Sequence, residues 1–369
     1  MNAVMDLRYR RTFFFVSVVS ATMGSAAGKN NETFPSYTRR AHHAGSWYES
    51  NSKALNATLQ RFLDVAVTSD SPPSSSSSSS FPSSPENLRS VIVPHAGYSY
   101  SGPTAAYAYQ AIHEELSKSL LACPISTILV LHPSHHVYLS GCAVSGANQL
   151  ETPVGNLRVD HSLRQEILKL SPRFTVMEQS VDEAEHSGEM QYPYLAKILS
   201  DLGRLHDITV LPVMCGALSV SQEASYGNAL AEIIARPSVL TVVSTDFCHW
   251  GSRFSFQPTT SGSKQALKIH EFIEQLDRRG MDLIELQQPG AFADYLKETR
   301  NTICGRHAIA VWLRAVTSVY DESQLESGDK NGSDLKVKFV KYAQSSPATS
   351  MADSSVSYAA AIATTTGAS

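Results

Sequence analysis

Short apolar runs ended by proline or a polar residue recur along this chain and set its expected architecture. Ile128, Leu129, Val130 and Leu131 are unbroken by polar positions, the mark of a strand buried on both faces. The run stops at His132-Pro133, because proline cannot donate to a sheet ladder and biases its predecessor away from helix. Residues 90–94, ending in Pro94, and residues 240–246 repeat the design, and residues 208–214 form a fourth such run. Between the strands the apolar spacing becomes helical. Leu55, Leu59, Phe62 and Leu63 predict a helix over residues 54–67. Further helices are expected over 105–116, 162–170, 191–202, 222–234, 264–277, 290–298 and from Cys304-Gly305 through 316. Residues 137–159 read as irregular or β-rich. Residues 337–342 and 357–364 read as closing strands, the small residues of the second implying tight packing or an edge. Strand and helix alternate throughout, which predicts a single α/β domain with a mainly parallel central sheet flanked by helices.

Chemistry-bearing residues gather just past the strands. His95 follows Pro94, His135 and His136 follow Pro133, and Asp246, Cys248 and His249 follow the 240-strand. Open α/β sheets hold ligands at the carboxyl ends of parallel strands, so these groups are expected to line one crevice. A metal site needs neutral imidazole or thiolate lone pairs held on rigid elements. His95 and His135 meet that need from two strands. Cys304 is the best third ligand, at an expected helix start whose positive dipole end would favour thiolate; the alternative is a buried inert thiol. His186 stands in a run with Asp182, Glu183, Glu185 and Glu189. Asp182 or Glu185 could orient it as a general acid/base, although such a run also suits a solvated helix N-terminus. Asp246 and His249 are expected behind the ligands. His113, His161, His206 and His270 read as surface or rim.

Composition narrows the classes. A formal charge of −4 and a pI near 6.3 leave no basic stripe for nucleic acid. No run of about 18 apolar residues predicts a membrane span. The five cysteines, Cys123, Cys142, Cys215, Cys248 and Cys304, are widely spaced and form no CxxC pair. That argues against a disulfide framework and fits a reducing, cytoplasmic setting. Residues 1–37 are an extension with the three parts of a secretory signal, arginines before Phe13, Phe14 and Phe15 and small residues at Gly24–Ala26. An organellar transit segment or an inert extension are the alternatives there. Residues 69–86 are nearly all Ser and Pro and predict a disordered insertion. No nucleophile elbow, Gly-rich phosphate loop or Arg cluster is visible.

As a set, His43–Tyr48, Pro94–Tyr98, Pro133–His136, residues 182–190, 244–250, 301–307 and 353–360 resemble the Memo family, the mediators of cell motility linked to receptor tyrosine kinase signalling. The resemblance spans about residues 38–365. It implies a fold like that of class III extradiol ring-cleaving dioxygenases, which hold non-haem iron by two histidines and a carboxylate. Carried over, the histidine ligands fall on His95 and His135 and the catalytic histidine on His186. The third ligand falls on Cys304, a soft thiolate in place of a hard carboxylate, which disfavours ring cleavage. The resemblance further implies one iron or copper ion, redox regulation, and phosphotyrosine-peptide binding near the same cleft with Trp47 at its rim. The expectation is therefore a metal-binding redox protein acting in cell signalling and motility, or else a non-enzymatic phosphotyrosine adaptor with a vestigial dioxygenase cleft.

Overall fold

The computed structural model describes residues 36–68, 86–118, 124–260, 267–320 and 335–366. The 1–37 extension, except Ser36 and Tyr37, the Ser/Pro insertion up to residue 85, and Cys123 lie outside the described residues.

The chain opens with β1 (Thr38–Arg39), α1 (Ser52–Thr68), β2 (Glu86–Val93), α2 (Tyr98–Ser117) and β3 (Thr127–Pro133). Short pieces follow: β4 (Cys142–Val144), β5 (Gln149–Leu150), β6 (Leu157–Val159), α3 (His161–Ile167), β7 (Thr175–Val176), α4 (Gln179–Ala184) and α5 (His186–Glu189). Then come α6 (Tyr192–Asp201), β8 (Thr209–Cys215), α7 (Val220–Ala235), β9 (Val239–Ser244) and β10 (His249–Trp250). The last elements are α8 (Ile269–Glu285), α9 (Pro289–Thr299), α10 (Arg306–Tyr320), β11 (Leu335–Gln344) and β12 (Ser355–Thr366).

The sheet centre runs β8-β3-β9-β2, all parallel. Thr127–Pro133 is buried at every position, as its unbroken apolar run requires when helices cover both faces. β12 joins the far side antiparallel to β2, and β11 and β10 pair with it. Ala359, Ala360 and Ala361 are fully buried, so the small residues of β12 serve close packing between two strands and not an edge. The fold is thus a mixed α/β domain with a mainly parallel centre.

Boundaries differ where tertiary contacts outweigh local signals. α2 starts at Tyr98, a turn and more before the expected 105, and carries Pro103 inside the helix, where the bond to the carbonyl four residues earlier is forgone. The acidic run is not a solvated helix end. Asp182, Glu183, Glu185 and Glu189 are all at most 4% exposed; Arg40 pairs with Glu183, His135 with Glu185, and a buried arginine with the other two. Arg39 donates Nε to Asp182 Oδ1 at 2.9 Å and Nη1 to Glu189 Oε2 at 2.7 Å, and Nη2 reaches the carbonyls of Asp182 and Glu185. Buried charges persist only when paired and hydrogen-bonded in this way.

Candidate metal centre

The parallel strands β2, β3 and β9 deliver their following residues to one end of the sheet. His95 comes directly after Pro94 at the end of β2 and is 2% exposed. Its N–H donates to Asp246 Oδ1 at 2.8 Å, and its Nδ1 pairs with Ser244 Oγ at 2.8 Å. Nε2 is left 3.1 Å from Cys304 Sγ. His135 sits two residues past β3 at the rim. Glu185 grips it twice: Oε2 accepts its backbone N–H at 2.6 Å and Oε1 pairs with Nδ1 at 2.9 Å. His186, at the start of α5, places Nδ1 3.5 Å from the same Glu185 Oε1.

These groups meet. One ligand atom from each of His95, His135 and His186 lies within 4.8 Å of the others, and the same holds for His95, Asp246 and Cys304. His95 belongs to both sets, so among the described residues the two groups adjoin at its ring. Gly305 lets the Cys304 turn close on β9: a Cβ there would stand 2.5 Å from Ser244 O. Gly305 N–H donates to Thr245 Oγ1 and Asp246 N–H to Cys304 Sγ, which anchors the sulfur to the β9 exit.

Electrostatics set the protonation of the donors. Burial, then the neighbouring His135 and His186, hold the His95 imidazole well below its usual range, so it is a neutral lone-pair donor. His186 is pulled down to about 3 by burial and by His135. Burial also opposes charge on His135, yet hydrogen bonds with Cys304 and Glu185 outweigh it and raise the ring to about 10. Glu185 is correspondingly held well below the carboxylate range by His135 despite its burial. Burial pushes Asp246 up to about 7, against the His95 N–H. Cys304 departs from expectation: α10 starts only at Arg306, and burial, with Asp246 close by, raises the thiol rather than lowering it. Its thiolate depends on a cationic partner, not on the helix end.

The remaining expected residues fall into three places. Trp47 and His136 wall the cleft, with ring centroids 4.4 Å and 5.7 Å from that of His186. His249 lies beneath, its backbone N–H donating to Thr302 Oγ1 at 2.7 Å, next to the Cys304 turn. Asp182 is not brought to the imidazoles; it is enclosed with Arg39, Tyr37 and Ser145, and Glu185 orients His186 instead. Sequence reading placed His43, Tyr48, Ser244 and Glu189 in stretches of interest but assigned them no part in the site. Glu189 Oε1 accepts from His43 N–H and Tyr48 O–H, each at 2.7 Å, and Oε2 pairs with His43 Nδ1 at 2.9 Å. That carboxylate straps the 43–48 segment over the site, so Trp47 meets His186.

A family model described as Memo-like protein matches residues 39–362. The chain belongs to the Memo family. Curated relatives agree: it is 40% identical over 324 residues to Protein MEMO1 of Homo sapiens, covering 87% of this chain and 96% of that one. It is 38% identical over 329 residues to the Protein memo-1 homolog of Caenorhabditis elegans, covering 89% and 83%. A crystal structure of an uncharacterised Escherichia coli K12 protein matches with TM-score 0.44 and 13% identity over 73% of this chain and 99% of that one. The fold assignment rests on the strands described above. No described helix is long and apolar enough to cross a membrane.

Proposed function

We propose that this Memo-family chain is a metal-binding redox protein of the cytoplasm, acting in cell signalling and motility, in which His95, His135 and Cys304 hold one iron or copper ion. The observation that carries this is the 3.1 Å approach of His95 Nε2 to Cys304 Sγ with His135 alongside. The fit extends to the outer contacts. Both ligand imidazoles have Nδ1 engaged, by Ser244 and by Glu185, which turns Nε2 toward the cleft as metal-bound histidines require. Two imidazoles and a thiolate are a borderline-soft set suited to copper, iron or zinc, of which copper and iron supply one-electron chemistry when bound.

The chain's own residues then have separate tasks. Ser244 and Glu185 fix ring orientation. His186, beside Glu185 and under Trp47, receives or returns a proton at the cleft. A ring-cleaving reaction is disfavoured, since the position of the third ligand carries sulfur and Asp246 is engaged by the His95 N–H. Anaerobically purified protein should bind about one Fe(II) or Cu(I), the ions this set suits. Cys304→Ser binding the metal equally well would remove sulfur from the site.

One observation favours the second reading, a non-enzymatic adaptor for a phosphotyrosine-containing signalling protein. Lys297, Arg300 and Arg306 line a cavity of about 400 Å³ together with Phe292, Leu296 and one acidic residue, Glu223. Phosphotyrosine-peptide binding lost on Arg300→Glu but kept on His135→Ala would support that reading and separate it from the metal cleft.

A further inference from the structure

The segment carrying His135 and His136 is anchored at both ends beside one residue, Cys215. Cys215 closes β8 and stands in parallel register with Pro133 of β3 on one side. On its other side it faces Cys142 of β4 in antiparallel register, followed by Ala143 opposite Met214. Residues 134–141 therefore arch over the end of β8 from one neighbour of Cys215 to the other. Leu139 O accepts from Ala217 N–H at 2.7 Å along the way.

The cysteine pair has the geometry for a bond. Gly216 N–H donates to Gly141 O at 2.9 Å, a hydrogen bond that flanks the pair instead of joining it. This marks Cys142 and Cys215 as a non-hydrogen-bonded pair, where Cα atoms approach to about 4.5 Å and side chains are closest. That spacing lies within the roughly 4.4–6.8 Å that a disulfide spans. Both thiols are free, each 1% exposed, and hydrogen-bonded to one another.

We propose that Cys142 and Cys215 are a site of reversible oxidative modification, closed to a disulfide by a peroxide and thereby pinning the histidine-bearing segment to the end of β8. While the ladder is shut, burial keeps the Cys142 thiol protonated and out of reach. β4 has three residues, all buried, and its neighbour β7 has two, so exposing the pair breaks only a short stretch of ladder. In the open state one thiolate attacks a peroxide oxygen: an S–O bond forms, the O–O bond breaks, and water leaves after protonation. The second thiol then attacks that sulfur, S–S forms, S–O breaks, and a second water leaves. The two thiols lose two electrons and one hydrogen peroxide becomes two waters.

The test uses full-length, metal-stripped protein kept folded and exposed to hydrogen peroxide, then alkylated and mapped by mass spectrometry. A peptide joining Cys142 to Cys215, released by dithiothreitol, is expected. Amide hydrogen exchange over residues 134–141 should slow about tenfold on oxidation, as local opening is suppressed. Cys215→Val should show neither change, and Cys142→Ala serves in its place if that variant does not fold. Linkage only to Cys123 or Cys304, or none, overturns the site. A Cys142–Cys215 link that leaves exchange over 134–141 unaltered overturns the pinning.

Discussion

Arg39 Nη1 donates to Glu189 Oε2 at 2.7 Å across 150 residues of sequence, and both side chains are sealed from solvent. Through this pair β1 is fastened to α5, the helix that begins with His186. Removing one partner of such a buried pair leaves an uncompensated charge, which costs far more than the pair itself contributes. Arg39→Met should lower stability by about 3–5 kcal/mol in urea denaturation. Adding Asp182→Asn and Glu189→Gln should recover part of the loss; no recovery would show that the charges are not the cause.

Acid should attack the same network. Burial resists charge on Glu189, but His43 and Arg39 outweigh it and hold the carboxyl down to about 2, against 4.5 ordinarily. As pH falls through the ordinary value the unfolded chain takes up the proton first, so stability present above that value drains away toward the folded one. The contribution at stake is about 3 kcal/mol. Urea midpoints measured between neutrality and acid should fall through this window, and fall less steeply for Glu189→Gln.

Glu185 holds His135 by ring and backbone at once. Glu185→Gln keeps the side-chain volume and loses the charge that fixes the imidazole. Outer partners of metal-bound histidines are worth about 10–100-fold in affinity, and that loss is expected in Fe(II) or Cu(I) titration. Unchanged affinity with an intact fold would place His135 outside the coordination set.

Gly305→Ala tests the Cys304 turn. The added methyl would crowd Ser244 O and Thr245, so the turn must back away from β9. Overpacking of this kind costs about 1–3 kcal/mol. Metal binding should weaken further than that loss of stability explains, because the turn carries the sulfur; equal affinity in the folded variant would argue against Cys304 as a ligand.

Residues 128–131 could be read as a doubly buried strand because four adjacent apolar side chains leave no polar face. The positions of His95 and His135 at one end of the sheet were legible for a related reason: Pro94 and Pro133 dictate where the chain must leave it, whereas the place of Cys304 beside β9 had no such local signal. The Asp182–Glu189 run was read less well. Its composition is that of a solvated helix end, and partners far away in sequence, Arg39 and Arg40 with His43 and His135, make burial tolerable.

The order of polar and apolar residues by itself determined the alternating elements, the parallel sheet and the edge on which the reactive side chains emerge, since periodicity and proline placement act over a few neighbouring positions. Which carboxylate serves which imidazole, that Asp182 turns inward, that Cys304 is raised rather than lowered, and that Cys142 faces Cys215 were decided only in the tertiary structure. Burial and pairing energies depend on groups distant along the chain, and no local pattern encodes them.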